Sequence, residues 1–261
     1  MEDRIRAIYL LGGLVLGLLF LLGASLALFS GQADARPPDQ PLALAQSAGA
    51  TPSASPTAGP TACSYSVLQT TGKLAPGTYD IGNHCDDCIT ELALPFPVSF
   101  YGQQFSLANV SSNGNLQFNS ANPISFNACL PEPSFEAAIM PHWDDLLTDD
   151  NPGCPGGQCG IFTALTGAPP DRTFTIEWRA GYFKVGGNAN FEARLHEGTG
   201  VFDFVYGHMD DPGNNSTVGV QNEGAAAFAQ YSCNGGGLSE GLMVTGSPRG
   251  CGIPTGTPTV A

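Results

Sequence analysis

Thr173-Phe-Thr-Ile-Glu-Trp-Arg179, Phe191-Glu-Ala-Arg-Leu-His196 and Val201-Phe-Asp-Phe-Val-Tyr206 decide the fold. In the first, Phe174, Ile176 and Trp178 alternate with Thr175, Glu177 and Arg179. That period of two sets three large apolar groups on one face of a strand and polar groups on the other. The second segment repeats the alternation, and the short loop Glu197-Gly-Thr-Gly200 joins it to the third as an antiparallel hairpin. The third segment reads as buried on both faces. Three such neighbours make the middle of an antiparallel sheet, and its apolar face requires a second layer. The face carrying Thr175, Glu177 and Arg179 is expected to be wet.

Outward from this centre, turn residues delimit about a dozen short strands. They are expected at 65–70, 78–81, 89–94, 97–101, 105–111, 116–118, 137–140, 160–165, 217–221, 228–233 and 242–245, besides the three above. Asn113-Gly114 between alternating runs predicts a type I′ hairpin turn, in which both central residues take positive φ. The fold class that follows is all-β: an antiparallel, jelly-roll-like β-sandwich with a disordered N-terminal stalk and C-terminal tail.

A chain of 261 residues with 34 Gly, 21 Pro and 15 Phe fits one β domain with non-globular ends. The formal charge is −14, and only two Lys and five Arg follow residue 35 without clustering, so nucleic acid is not an expected partner. Arg4 and Arg6 precede the uncharged run 8–29, which is long enough to cross a bilayer, and Ala33-Asp-Ala35 has the small-x-small form of a cleavage site. Residues 1–35 therefore read as a signal peptide or signal anchor, and the remainder as secreted or cell-surface. Membrane contact is expected only through that segment, if it stays uncleaved. Residues 36–62, with six Pro among Ala, Ser, Thr and Gly, read as a linker, and 252–261 as a disordered tail. The folded domain is expected at 63–251.

Eight cysteines, Cys63, Cys85, Cys88, Cys129, Cys154, Cys159, Cys233 and Cys251, in an exported chain argue for disulfides, although spacing does not fix the pairing. A local Cys154–Cys159 bridge and a Cys63–Cys251 clasp of the domain ends are the pairings expected. Cys85-Asp-Asp-Cys88 after His84 also has zinc-knuckle spacing, but no second ligand pair stands at comparable spacing. The loop His142-Trp-Asp-Asp-Leu-Leu-Thr-Asp-Asp-Asn151 supplies hard oxygen ligands, so Asp144, Asp145, Asp149 and Asp150 are the expected calcium ligands, against the alternative of a solvated acidic turn. No other cofactor is expected. Trp143 reads as a core or loop-anchoring residue. Asn109, Asn214 and Asn215 stand in glycosylation sequons.

Several blocks in order carry a resemblance: Val110-Ser-Ser-Asn-Gly-Asn-Leu-Gln-Phe118, Ile139-Met-Pro-His-Trp-Asp-Asp145, Gly160-Ile-Phe, Phe174-Thr-Ile-Glu-Trp-Arg, Gly181-Tyr-Phe, Phe191-Glu-Ala-Arg-Leu, Phe204-Val-Tyr-Gly207 and Val218-Gly-Val-Gln. Over about residues 100–225 the succession resembles the NIDO domain of nidogen, tectorin and membrane-mucin ectodomains, and it is similar to bacterial surface modules that follow Pro/Thr-rich stalks. The resemblance implies an extracellular, β-rich, non-catalytic module of adhesion or matrix proteins. The chain lacks EGF-like repeats and carries extra cysteines at 85, 88, 154 and 159, so no particular matrix partner is implied. Two functions follow. One is a secreted or cell-surface module for adhesion that binds an extracellular glycan or protein. The other is a β-sandwich carbohydrate-active hydrolase using Glu177 and Glu192, with Asp203 nearby, since neighbouring strands offer paired carboxylates. Against the second, the same residues can form a charge ladder with Arg179 and Arg194.

Overall fold

A computed structural model describes residues 63–149, 154 and 157–252. The expected signal segment, the linker, the tail from 253 onward and Asp150 lie outside the described residues.

Among the described residues, fourteen strands form two antiparallel sheets. The first runs in the order β1 (Ser64–Thr71), β14 (Leu242–Arg249), β11 (Phe202–Met209), β10 (Asn188–His196), β9 (Thr173–Tyr182), β8 (Gly160–Thr166), β2 (Tyr79–Asp80), with β7 (Leu146–Leu147) also pairing with β9. The second is β13 (Phe228–Cys233), β12 (Thr217–Gln221), β6 (Ala138–Trp143), β5 (Asn115–Gln117), β4 (Gln103–Ser111), β3 (Ile89–Phe100). The alternation read from the sequence sets the register of the central meander: Phe191 faces Trp178, Ala193 faces Ile176 and Leu195 faces Phe174 across β9 and β10. These side chains meet the second sheet in one core. Trp178 is fully buried, its ring stacks on Phe191 at 5.2 Å, and its Nε1–H donates to the carbonyl of Ser111 at 2.8 Å. Tyr206 donates to the carbonyl of Pro141 at 2.6 Å and ties the sheets a second time.

Local details depart from expectation in three places. The runs 89–94 and 97–101 belong to one strand, β3, whose pairing with β4 shifts register between Ala93 and Val98, where Pro95 and Pro97 interrupt the ladder. Ser111 pairs with Asn115, so the hairpin loop has three residues and only Gly114 takes positive φ, at 68°. This is the longer loop with a bulge glycine rather than the two-residue turn. A Cβ on Gly114 would stand 1.9 Å from the carbonyl oxygen of His142, so the hairpin tip presses directly on β6.

The third departure is the outer face of the first sheet, which is not wet. Thr175 is 1% exposed, Glu177 2% and Glu192 0%. The cause is topological. β1 and β2 are at opposite edges, six strand spacings apart, so residues 72–78 must cross the face between them. Six spacings are about 29 Å, and eight residue steps reach about 28 Å only when nearly straight. The crossing segment is therefore a taut strap. Glu192 accepts from the N–H of Ala75 at 2.6 Å and Glu177 from that of Gly77 at 2.8 Å; Arg179 donates to the carbonyl of Gly77 at 2.9 Å, and Arg194 to that of Lys73. Gly77 lies so close to the sheet that a Cβ would meet the Phe162 backbone at 2.6 Å.

Loop 119–137 covers the outer face of the second sheet in the same way. Leu130, Phe135, Ala138, Met140 and Trp143 make a second apolar cluster there, with Trp143 Nε1–H bonded to the carbonyl of Ile124 at 2.9 Å. Four disulfides close the molecule: Cys63–Cys251, Cys85–Cys88, Cys129–Cys233 and Cys154–Cys159. The first clasps the ends of β1 and β14, and the third pins loop 119–137 to β13. With Cys85 and Cys88 bonded to each other, the zinc alternative has no thiolates to use.

Trp178→Ala should cost about 3–5 kcal/mol, because it opens a cavity and strands the carbonyl of Ser111. Denaturant unfolding measures it, with the exposed-site variant Leu165→Ala expected to stay within about 0.5–1 kcal/mol of the parent. Equal midpoints would refute the placement of Trp178 at the sheet interface.

Candidate functional site

With both sheet faces roofed, polar groups gather at the end of the sandwich formed by the turn between β6 and β7, the tip of the β9–β10 hairpin and the β11–β12 loop. Asn113 of the β4–β5 hairpin organises this end. It is fully buried; its Oδ1 accepts from the N–H of Leu146 at 2.9 Å, and its Nδ2 donates to Asp87 at 2.7 Å and to the carbonyl of Pro123 at 2.9 Å. One amide thus fixes the Asp144-Asp145 turn, the Cys85–Cys88 loop and the start of loop 119–137.

His142, fully buried, sits behind the turn. Tyr182 gives its single hydroxyl proton to the carbonyl of Asp211 at 2.8 Å, so at 3.1 Å it accepts from His142 Nε2–H. This assigns the neutral Nε2–H tautomer and leaves Nδ1 without a partner. Burial pushes the His142 imidazole down to about 3, against the upward pull of the Asp211 charge. Asp211 is tied in its own loop: its carboxylate accepts from the N–H groups of Gly213 and Asn214 and from the side-chain amides of Asn214 and Asn215. Burial works upward on its pKa, but these donors outweigh it and hold the carboxyl below the ordinary range. The sequon amides are thus engaged internally, that of Asn109 donating to the carbonyl of Ser120.

Of the four expected calcium ligands, the structure turns two apart. Asp144 points inward, capping the N–H of Asp145 at 2.8 Å, and burial pushes its carboxyl up to about 7, helped by the charges of Asp211 and Asp145 and opposed by the Asp145 N–H and by Lys184. Asp145 instead faces Asp86 and Asp87, and one oxygen from each of the three lies within 4.8 Å of the others. Asp149 is near enough to help raise the pKa of Asp86, after burial and the charges of Asp87 and Asp145. The sequence assigned no role to Asp86 and Asp87 within the Cys85-Asp-Asp-Cys88 spacing. The available signal was adjacent carboxylates inside a loop that a disulfide folds back, with Asp87 in the left-handed region at φ 48°.

Beside this cluster opens a cleft of about 210 Å³ lined by Ser125, Phe126, Asn127, Asp144, Asp145, Tyr182, Lys184, Val185 and Asn215. Phe126 is 72% exposed, and Val185 and Phe183 on the hairpin tip are also exposed. Neither Phe126 nor Val185 stood out in the sequence, because loop hydrophobics carry no periodicity.

Glu177 and Glu192 lie elsewhere, beneath the strap. They are aligned partners across β9 and β10, and Glu177 also accepts from Asn190 Nδ2 at 2.8 Å and from Arg179 at 2.7 Å, while Glu192 is bound by Arg194 at 2.7 Å. Asp203 is held by His196 at 2.7 Å and by Thr245.

An all-β sandwich closed by four disulfides is of the class of extracellular modules built for oxidising surroundings. No helix among the described residues is long and apolar enough to cross a membrane. Within that class the chain belongs to the NIDO-related family, whose model matches residues 61–240, from just before the Cys63 clasp to the loop before β14. No curated protein and no solved structure matches the chain.

The Asp144 carboxyl gives the site a pH signature. Between its ordinary 3.8 and about 7 the native state holds a proton that the unfolded chain has lost. Its contribution to stability is therefore full below about pH 4 and declines as pH rises through 7. Replacing Asp144→Asn should remove a slope of order 1 kcal/mol per pH unit over that window, read as parent minus variant in unfolding series. His142 acts in the opposite sense as pH falls below 6.5, and is common to both proteins. Parallel stability curves would show that Asp144 titrates normally.

Proposed function

We propose that the chain is a non-catalytic binding module of adhesion, secreted or held at the cell surface, which takes an extracellular glycan or protein at the cleft between Phe126 and the β9–β10 tip. The observation that carries this reading is the gathering of exposed Phe126 and Val185 around the unsaturated oxygens of Asp144 and Asp145. Exposed apolar groups ringed by polar ones mark contact surfaces. The hydrolase alternative has no comparable support: Glu177 and Glu192 are sealed from solvent and saturated by backbone N–H and arginine donors. An acidic chain makes nucleic acid a poor partner, and membrane contact belongs to the N-terminal segment. Full-length protein screened on extracellular glycans and matrix proteins should bind without turnover. Phe126→Ala should lose that binding about tenfold or more at an unchanged melting temperature, the loss expected of an interface hot spot. Glycoside hydrolysis abolished by Glu192→Gln would overturn the reading.

A calcium ion is the second part of the proposal, carried at Asp86, Asp87 and Asp145 with Asp149 alongside, rather than at Asp144. Three carboxylates with oxygens within 4.8 Å disfavour one another's ionised form, and a cation relieves that repulsion. An ion that binds only the native state adds about 2.7 kcal/mol at a hundredfold excess over Kd. Calcium should therefore raise the melting temperature, a chelator should lower it, and Asp145→Asn should blunt the response. A melting curve unmoved by millimolar calcium at low ionic strength would leave a solvated acidic cluster.

A further inference from the structure

Lys184 projects from the tip of the β9–β10 hairpin with 59% of its side chain exposed, yet its ammonium is not turned to open water. Nζ lies 4.5 Å from the centre of the Phe126 ring and 3.5 Å from Asp145 Oδ2. A flexible lysine with a strongly hydrated head gives up rotamer freedom to rest there, which requires an attraction at the site itself. The aromatic face and the carboxylate supply it. Below them the cleft offers the second carboxylate, Asp144, together with the side-chain amides of Asn127 and Asn215 and the ring of Tyr182. Two carboxylates answer one ammonium, so negative charge is left over.

We propose that this cleft is a recognition site for the basic side chain, lysine or arginine, of a partner protein, and that Lys184 rests in it as a tethered competitor when no partner is bound. The proposal rests on the reading that the cleft is the binding surface, and it names what enters. Size and charge both favour one basic side chain over a glycan. Sites for drug-sized ligands run to roughly 300–1,000 Å³, whereas about 210 Å³ suits one inserted side chain. A neutral sugar could stack on Phe126 but would leave the carboxylates of Asp144 and Asp145 unanswered and would have to displace the ammonium already over the ring. The chain's charge of −14 draws basic partners and steers their approach. The groups facing Asp144 are Asp145 and the neutral His142 of its own turn, Tyr182 and Lys184 of the hairpin, and Asp211 of the β11–β12 loop. Lys184 is the only cation among them.

The test is calorimetric titration of the full-length protein, in chelator so that Asp145 is not shared with a metal ion. One probe is a short peptide of alternating glycine and lysine; the other is the same peptide acetylated on every ε-amino group. The unmodified peptide is expected to bind, and the acetylated one is not. Removing the competitor with Lys184→Ala should tighten binding by about three- to tenfold, whereas Phe126→Ala and Asp145→Asn should weaken it about tenfold, in line with cation–π and charge-pair energies. Melting temperatures confirm that each variant is folded. Equal binding of the acetylated peptide, or a Lys184→Ala variant that binds no better than the parent, overturns the proposal. If a neutral glycan binds and Phe126→Ala abolishes it, the cleft remains the binding surface and only the ligand class proposed here falls. Binding to any partner that ignores both Phe126→Ala and Asp145→Asn overturns the cleft and this proposal together.

Discussion

The structure depends on a strap of seven residues being held flat across a sheet. With β1 and β2 on opposite edges, residues 72–78 have just enough length to cross, and they cross over the polar face of β9 and β10. Their backbone loses water in doing so and needs partners. Glu177, Arg179, Glu192 and Arg194 provide them, each carboxylate taking a strap N–H and each arginine a strap carbonyl. The arginines also pair with the carboxylates, so no buried charge is left alone. Such pairs add little net stability against an apolar replacement, but removing one member leaves the other uncompensated at a cost of about 3–5 kcal/mol. They specify where the strap lies, and the strap in turn keeps the Cys63 end of the chain on the far edge, where Cys251 meets it.

That arrangement covers both outer faces, with a hollow of about 860 Å³ left between the start of the strap and residues 239–242. One outer face is under the strap and the other under loop 119–137, whose carbonyls at Glu132 and Phe135 take the two hydrogens of the buried Gln221 amide. The sheet end at the β8–β9 and β10–β11 turns is knit shut by Arg172, which pairs with Glu197, donates to the carbonyl of Pro95 and lies over Phe96. The opposite end is different in kind. There Asn113, His142, Tyr182 and Asp211 build a buried frame, and the carboxylates in front of it outnumber the one lysine beside them.

How much of this the sequence disclosed follows from which signals have a period. Strand identity and the core face were legible, because Phe174, Ile176 and Trp178 alternate and Phe191, Ala193 and Leu195 answer them in register. The burial of Thr175, Glu177 and Glu192 was not, since the strap's path depends on which edges β1 and β2 occupy, and that is a pairing between distant segments. The Asp144-Asp145 turn was recognisable by composition. Its division of labour was hidden: Asp144 turns in toward His142 while Asp145 turns out toward Asp86 and Asp87, residues more than fifty positions earlier that are brought back by Thr148 and Cys85 bonding across the two segments. Phe126 and Lys184 meet only because Asn113 anchors both surroundings, and no local pattern announces such a meeting.

The balance of charge at the open end separates a carboxylate saturated within the fold from carboxylates that face one another. Asp211 is saturated by four donors, and its hydrogen bonds cannot be exchanged without unfolding the β11–β12 loop. Asp86, Asp87 and Asp145 are instead drawn together with Lys184 beside Asp145, and the carboxyls of Asp86 and of the inward-turned Asp144 are raised. A frame this rigid could have been closed with apolar residues, as the strap's far end is by Leu74 packed over Gly207. Carboxylates crowded together repel one another, and the Cys85–Cys88 disulfide holds the Asp86-Asp87 loop against that repulsion. Repulsion of this kind is relieved by any positive charge brought among the carboxylates.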